Sequence, residues 1–488
     1  MNCVLAIDQG TSATKCVLVD AQGRMVAKAA APLGERYPEP GWVEQDVDAI
    51  WQSAQSAVAQ CLAQAGAARI VAVGLSTQRE SALVWELDGA RPVTPLLSWQ
   101  DQRTATLRDQ LAADGVETLV RERSGLPLDP MFSALKIRWL LDRIDPQRSA
   151  ARAGRLRAGT IDAWLVARLG GDDAIEVGNA SRTQLLDVRR AGWDADLLRL
   201  FDIPAATLPR IVASLARRAD AGALHPALAG VPVHAVMADS HAALYAHGAR
   251  RSGDVKATMG TGSSVMGLAD AGAQAHPGLC VTIAWDAGGG PRLALEGNIR
   301  SAGATLRWVA DLLGIDGETA AAEASVADTG GVCIVPAFSG LGAPYWDARA
   351  TGLVSGLTLA SGRPQLLAAA LDSIAHQVAD VLDAVDASVA GVPRLLLDGG
   401  PSRNAKLRAT LASYIGRPVV HCTDAELSAL GVAHLAGVGA GLWDEAALRD
   451  LPRSQHATPA PETITDATRN ARLAWAQAVA RSRMRCDA

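Results

Sequence analysis

Short apolar runs that end in Gly, Thr and Asp alternate along this chain with longer stretches in which apolar residues recur at helical spacing. The first run, Val4-Leu5-Ala6-Ile7, closes on Asp8-Gln9-Gly10-Thr11-Ser12-Ala13-Thr14-Lys15, and Cys16-Val17-Leu18-Val19 follows at once. This is the pattern of strand, tight turn, strand. Further strands are expected over residues 24–30, 70–76 and 83–87, and helices over 46–65, 131–143 and 160–169. Residues 231–238 read as a buried strand, with a helix starting near Asp239. The opening theme then recurs as a strand over 255–259, the turn Gly260-Thr261-Gly262-Ser263-Ser264, and a strand over 265–268. A long helix over 365–389 leads to a strand over 394–397, after which Asp398-Gly399-Gly400-Pro401-Ser402-Arg403-Asn404 opens another helix. Strands alternating with helices throughout predict an α/β architecture. The faint repeat divides the chain into two similar halves, 1–246 and 247–488.

Bulk properties narrow the field. A chain of 488 residues exceeds what one core can hold, so roughly two to four domains are expected. A net charge of −5 is no footprint for nucleic acid. The one Arg-rich stretch, with Arg143, Arg148, Arg152, Arg155 and Arg157, reads as a solvated helix and loop. No apolar run reaches membrane-spanning length, so no membrane partner is expected. The N-terminus enters a strand directly, without the basic start and cleavage site of a signal peptide. The seven cysteines, at 3, 16, 61, 280, 333, 422 and 486, have no metal or disulfide spacing and read as reduced thiols of a cytoplasmic protein. His234, Asp239 and His241 fit no common metal-ligand spacing.

Several clusters could carry chemistry. In the first turn Gly10 lets the backbone double back and bares N–H groups. Thr11, Ser12 and Thr14 add donors, Lys15 adds charge, and Asp8 is placed to hold a divalent cation. Such a tip can cradle a nucleotide polyphosphate with its metal, or can simply be a polar hairpin turn. The glycine pair Gly399-Gly400 at a strand-to-helix junction lets a flat ligand approach the backbone. Two halves with facing phosphate turns imply a nucleotide gripped in the cleft between them. Arg79 and Glu80, at the end of a strand, can donate to and accept from the hydroxyls of a polyol, or form an ordinary surface ion pair. Trp99 could offer its face to a carbon backbone or fill a core. Asp239, where a buried strand meets a helix, could cap the helix or take a proton from an attacking hydroxyl.

These blocks, in this order, resemble the FGGY carbohydrate kinases, and within them most of all the glycerol kinases. The resemblance runs through Ala6-Ile7-Asp8-Gln9-Gly10-Thr11, Gly41-Trp42-Val43-Glu44-Gln45-Asp46, Gln78-Arg79-Glu80, Trp99-Gln100-Asp101 and Gly159-Thr160-Ile161-Asp162. It continues through Asn179-Ala180-Ser181-Arg182-Thr183, Gly340-Leu341-Gly342-Ala343-Pro344-Tyr345-Trp346-Asp347 and Asp398-Gly399-Gly400. Residues 131–142 match most of the family's first signature and residues 352–372 fit the second. The resemblance implies two actin-like ATPase domains of ribonuclease H-like fold and transfer of the ATP γ-phosphoryl to a hydroxyl, with Mg²⁺. It implies that Asp8 organises the magnesium and that Thr11, Ser12 and Lys15 contact phosphate, Lys15 standing where glycerol kinases usually carry arginine. Asp239 would be the general base, and Arg79, Glu80 and Trp99 would bind the polyol. Thr261, Gly303, Gly400 and Asn404 would contact the nucleotide. The expected partner is a small polyol or sugar, in a cytoplasmic homodimer or homotetramer.

The departures concern mainly the substrate. Met131 stands where glycerol kinases have tyrosine, Ser264 where they have phenylalanine, and Ser240 follows Asp239 where they have glutamine. On the nucleotide side Arg307 replaces a glutamine. A flexible methionine and a small serine suggest a roomier pocket, suited to a tetritol, pentitol or ketopentose; the alternative is a glycerol kinase proper. An actin-fold ATPase switch or filament protein would need the nucleotide turns but not Arg79, Glu80, Trp99 and Asp239 together.

Overall fold

The computed structural model describes residues 1–484; Cys486 lies outside the described residues. The other six cysteines are free thiols. The chain forms two compact units. Unit 1 comprises Met1–Gly248, Val281–Leu293 and Ala425–Pro452; unit 2 comprises Ala249–Cys280, Ala294–Asp424 and Arg453–Ala488. A cut at 246 therefore marks only the first passage between them, since two later segments rejoin unit 1.

Unit 1 is built on a six-stranded sheet in the order Leu215–Asp220, Pro232–Ala238, Arg69–Thr77, Asn2–Gln9, Ala13–Asp20, Met25–Pro32. Asn2–Gln9 pairs antiparallel with Ala13–Asp20 and parallel with Arg69–Thr77. Strand side chains alternate between faces. Cys3, Leu5 and Ile7 accordingly join a buried core with Val47, Ile50, Trp51 and Ala54 of the helix Val47–Leu62. Asp46 caps that helix by accepting from the N–H groups of Asp48 and Ala49. On the other face Ala6 pairs with Gly74. There the helix Leu427–Gly439 comes so close that a Cβ on Gly74 would meet the Val432 carbonyl oxygen at 2.6 Å.

A second, four-stranded sheet in unit 1 joins Glu44–Gln45, Leu96–Leu97, Ala82–Glu86 and Leu156–Thr160. The helix Ser133–Ile144 covers it through Ala134, Leu135, Ile137, Leu140 and Leu141. The Arg-rich stretch is not solvated throughout. Arg148 is buried, bonded to the Asp145 and Asp202 carbonyls and paired with Asp142 and Asp202. Five donors let one guanidinium tie that corner together.

In unit 2 the strands Arg292–Ile299, Ser263–Ala269, Val255–Met259, Leu395–Gly399, Val419–Cys422 and Gln455–Thr458 lie side by side in that order. Val255–Met259 pairs antiparallel with Ser263–Ala269 and parallel with Leu395–Gly399, the same arrangement as the opening strands of unit 1. The long helix Arg363–Asp386 packs beside Gly303–Leu312, Gly317–Val326 and Ala405–Ile415. The last of these is capped by Asn404, whose Oδ1 accepts from Leu407 N at 3.0 Å. Among the described residues no helix is long and apolar enough to cross a membrane, and no group of three or more His, Cys, Asp or Glu is arranged to hold a metal.

Candidate active site

In unit 1 the turn after Asn2–Gln9 is closed by Gly10 N donating to Ala13 O at 3.1 Å, leaving Ser12 exposed and Thr11 half-buried. Three glutamines hold the turn from behind. Gln45 Nε2 donates to Thr11 O at 2.6 Å, while Gln78 Nε2 donates to Gln45 Oε1 at 2.9 Å and to Gln9 Oε1 at 3.2 Å. Trp99 leans on the same turn, its Nε1 donating to Thr11 Oγ1 at 3.0 Å, and the residue stays 37% exposed. Trp99 is thus no core residue.

Asp8 is buried at the end of its strand, and Ser76 Oγ donates to its Oδ1 at 2.8 Å. Burial and then the charge of Asp239 raise its pKa to about 7, against the opposing effects of Ser76 and Lys15. Lys15 is paired with Glu426, Nζ to Oε2 2.6 Å. Glu426 holds a left-handed φ of 58° just before the helix Leu427–Gly439. No sequence signal linked two residues so far apart.

Arg79 follows the strand Arg69–Thr77, and its Nε lies 3.4 Å from Asp239 Oδ1 and 3.8 Å from Glu80 Oε1. Glu80 is buried with φ 61°, a left-handed conformation that costs a non-glycine residue of order 1–3 kcal/mol. Its neighbours hold it there. Ser133 Oγ donates to its carbonyl at 2.9 Å and Arg182 Nε donates to its Oε1 at 2.6 Å. Arg79 and Glu80 are therefore not a surface ion pair. Arg182 and Ser133 were not singled out from the sequence, although both fall inside quoted motifs or signatures. Asp239 is the first residue of the helix Asp239–Ala246, with Ala238 at the cap position, and its side chain is 35% exposed. Met131 is half-buried beside the start of Ser133–Ile144, its N–H donating to Asp129 Oδ1 at 2.9 Å.

Unit 2 gathers a different set. The turn Gly260-Thr261-Gly262 docks on the start of the helix Gly303–Leu312. Gly303 N donates to Gly260 O at 2.9 Å, and the N–H groups of Ala302 and Ala304 donate to Thr261 O. A Cβ on Gly303 would meet Gly260 O at 2.6 Å. A cavity of about 630 Å³ opens here, lined by Thr261, Gly303, Arg307, Gly400 and Asn404 together with Arg403 and Ser325 among others. That volume suits a ligand of nucleoside size. The five residues that the resemblance assigns to the nucleotide side thus share one cavity. Gly400 faces open space, whereas the adjoining Gly399, at φ 91°, has no room for a Cβ against Met259 O. Asn404 Nδ2 donates to Ser325 Oγ at 2.7 Å. Ser264, in the neighbouring strand, donates to the buried Glu296 at 3.0 Å.

Comparison with known proteins shows the family of the chain. The FGGY family of carbohydrate kinases, N-terminal domain, matches residues 3–246, and its C-terminal domain matches residues 255–440. The chain is 40% identical over 493 residues to an apulose kinase of Pectobacterium atrosepticum, covering 99% of each chain. It is 42% identical over 461 residues to a glycerol kinase of Citrifermentans bemidjiense, covering 92% of each. The crystal structure of Plasmodium falciparum glycerol kinase with ADP matches with a TM-score of 0.93 and 26% identity, over 100% of this chain and 99% of that one. The fold class is accordingly α/β of the actin-like ATPase type. The chain belongs to the FGGY family of carbohydrate kinases, phosphotransferases whose acceptor is an alcohol group.

Proposed function

We propose that this chain transfers the γ-phosphoryl of ATP to a hydroxyl of a small linear polyol or open-chain ketose somewhat larger than glycerol. The observation that carries the reading is the buried Arg79–Glu80 pair with Asp239 3.4 Å from the Arg79 guanidinium. A hydroxyl both donates and accepts, so a guanidinium beside a carboxylate can fix it in both senses. The ring of the exposed Trp99 offers an apolar face to the carbon chain. Asp239 then takes the proton from the attacking oxygen.

Thr11, Ser12 and Lys15 are assigned to the phosphates, and the cavity of unit 2, with Thr261, Gly303, Arg307, Gly400 and Asn404, to the nucleoside. Lys15 would then exchange Glu426 for phosphate. The donor set suits Mg²⁺. Asp8 is a buried carboxylate whose ionisation is opposed by burial and by Asp239, so a divalent cation removes a cost already present. Magnesium binds through one or two carboxylates with water and substrate phosphates, which needs no cage of protein ligands. When bound, it would neutralise charge on the transferring phosphoryl group.

The half-buried Met131 and the small Ser264 support an acceptor longer than glycerol. The relatives named for apulose and for glycerol bracket that choice, and the latter support a glycerol kinase proper as the second reading. The test is ADP production from ATP with glycerol, tetritols, pentitols and ketopentoses, compared as kcat/KM. We expect a four- or five-carbon acceptor to win. A higher kcat/KM for glycerol than for every larger acceptor would leave a glycerol kinase proper.

A further inference from the structure

The approach to the helix Ser133–Ile144 contains a group that the phosphotransfer chemistry does not use. Lys136 is fully buried, and its Nζ donates to the carbonyls of Pro130, Met131 and Phe132 at 2.7, 2.5 and 3.3 Å. Three N–H donors thus meet three acceptors from consecutive residues. The side chain of a helical residue leans toward the helix N-terminus, which brings Lys136 over the residues one turn before it.

The placement is costly. A cation at a helix N-terminus opposes the helix dipole. Burial lowers the lysine pKa to about 8 although the acids Glu80, Asp101 and Asp129 favour its charge, with Arg103 acting against it. Well-packed apolar side chains often replace buried charged groups without loss of stability. What an apolar chain cannot do is draw three successive carbonyls to one point.

The same corner grips Glu80. Ser133 Oγ holds the Glu80 carbonyl, Arg182 holds its carboxylate, and the Arg182 guanidinium lies 5.1 Å over the Phe132 ring. Phe132 is therefore fixed on its ring by Arg182 and at its carbonyl by Lys136. We propose that Lys136 is a positioning residue that sets the Met131 backbone against Glu80 and thereby fixes which acceptor is preferred. This rests on the reading that Glu80 and Met131 face the acceptor.

The experiment compares wild type, Lys136→Met and Lys136→Arg, each first checked for a cooperative melt. With the acceptor that wild type uses best, Lys136→Met is expected to raise the acceptor KM roughly ten- to hundredfold, the scale on which small misplacements act. The KM for ATP should stay within about twofold, since only the acceptor corner moves. Discrimination between that acceptor and glycerol should narrow. Lys136→Arg keeps the charge but not a compact three-donor head, so a smaller shift in the same direction is expected. It also serves where the methionine variant does not fold. An unchanged acceptor KM and discrimination in the folded variants, or ATP and acceptor KM values rising together, would overturn the proposal. Wild-type protein that consumes ATP with no polyol or sugar present would instead overturn the reading beneath it, and the proposal with it.

Discussion

Asp239 and Asp8 show how two carboxylates in one site are set apart by their surroundings. Asp239 is partly exposed and sits on a guanidinium, whereas Asp8 is buried and disfavoured as an anion. Under the proposed function, Asp239→Asn should lower kcat about 10²–10⁴-fold, the range for loss of a general base, while ATP binding measured by calorimetry is retained. Near-normal turnover would remove Asp239 from that role. At this scale the sequence marked candidates and said little about their environment. Asp8, Arg79 and Glu80 stand out because an acid or an Arg–Glu pair at a strand end is chemically conspicuous. The left-handed backbone of Glu80 and its capture by Arg182, 102 residues away, are set by tertiary packing that no local pattern encodes. The same holds for Lys15 and Glu426.

Among the elements, the interiors were legible and the ends less so. The expected strand over 255–259 coincides with Val255–Met259, and 231–238 with Pro232–Ala238. The expected helix over 365–389 is Arg363–Asp386, starting earlier because Pro364 fits the first turn of a helix and Gln365 caps Gly362 N. The turn Gly260-Thr261-Gly262 was visible, but its docking on Gly303 was not, because that contact joins residues over forty positions apart. Gly303→Ala should push the turn off the helix start, since the added Cβ would sit 2.6 Å from Gly260 O. We expect the KM for ATP to rise about tenfold or more with little change in acceptor KM; equal shifts in both would detach the turn from nucleotide binding.

A short helix, Val177–Ala180, carries a pH dependence. Its cap, Glu176, is buried and accepts from the N–H groups of Gly178 and Asn179 at 2.8 and 2.7 Å. Burial raises its pKa from 4.5 to about 7, against the opposing hydrogen bond from Ser214. The folded protein therefore holds this proton more tightly than the unfolded chain does. The stabilisation is complete below about pH 4.5 and is lost as pH rises through 7, a change of roughly 3 kcal/mol. Urea unfolding from pH 5 to pH 8 should show wild type losing more stability than Glu176→Gln, which cannot ionise there. Parallel profiles would mean that Glu176 ionises normally.

Over the whole molecule, the repeat of strand, turn and strand was visible because both copies carry Gly/Thr turns between apolar runs. What the repeat could not reveal is that unit 1 is discontinuous, because contacts between distant segments leave no periodicity. The helix Leu427–Gly439 lies against the sheet face that carries Gly74, and a Cβ on Gly431 would collide with Ala242 O. That fit has a consequence for biosynthesis. A ribosome that has just released Gly248 must still add roughly 200 residues before Pro452 emerges, on the order of ten to forty seconds of translation. Throughout that interval the first-made sheet has one uncovered face, the kind of surface on which nascent chains associate and chaperones act. A fragment ending at Gly248 should accordingly bind a hydrophobic dye and melt without cooperativity, and a sharp melt would show that the face tolerates exposure. The N-terminal half, although first off the ribosome, is the half that waits.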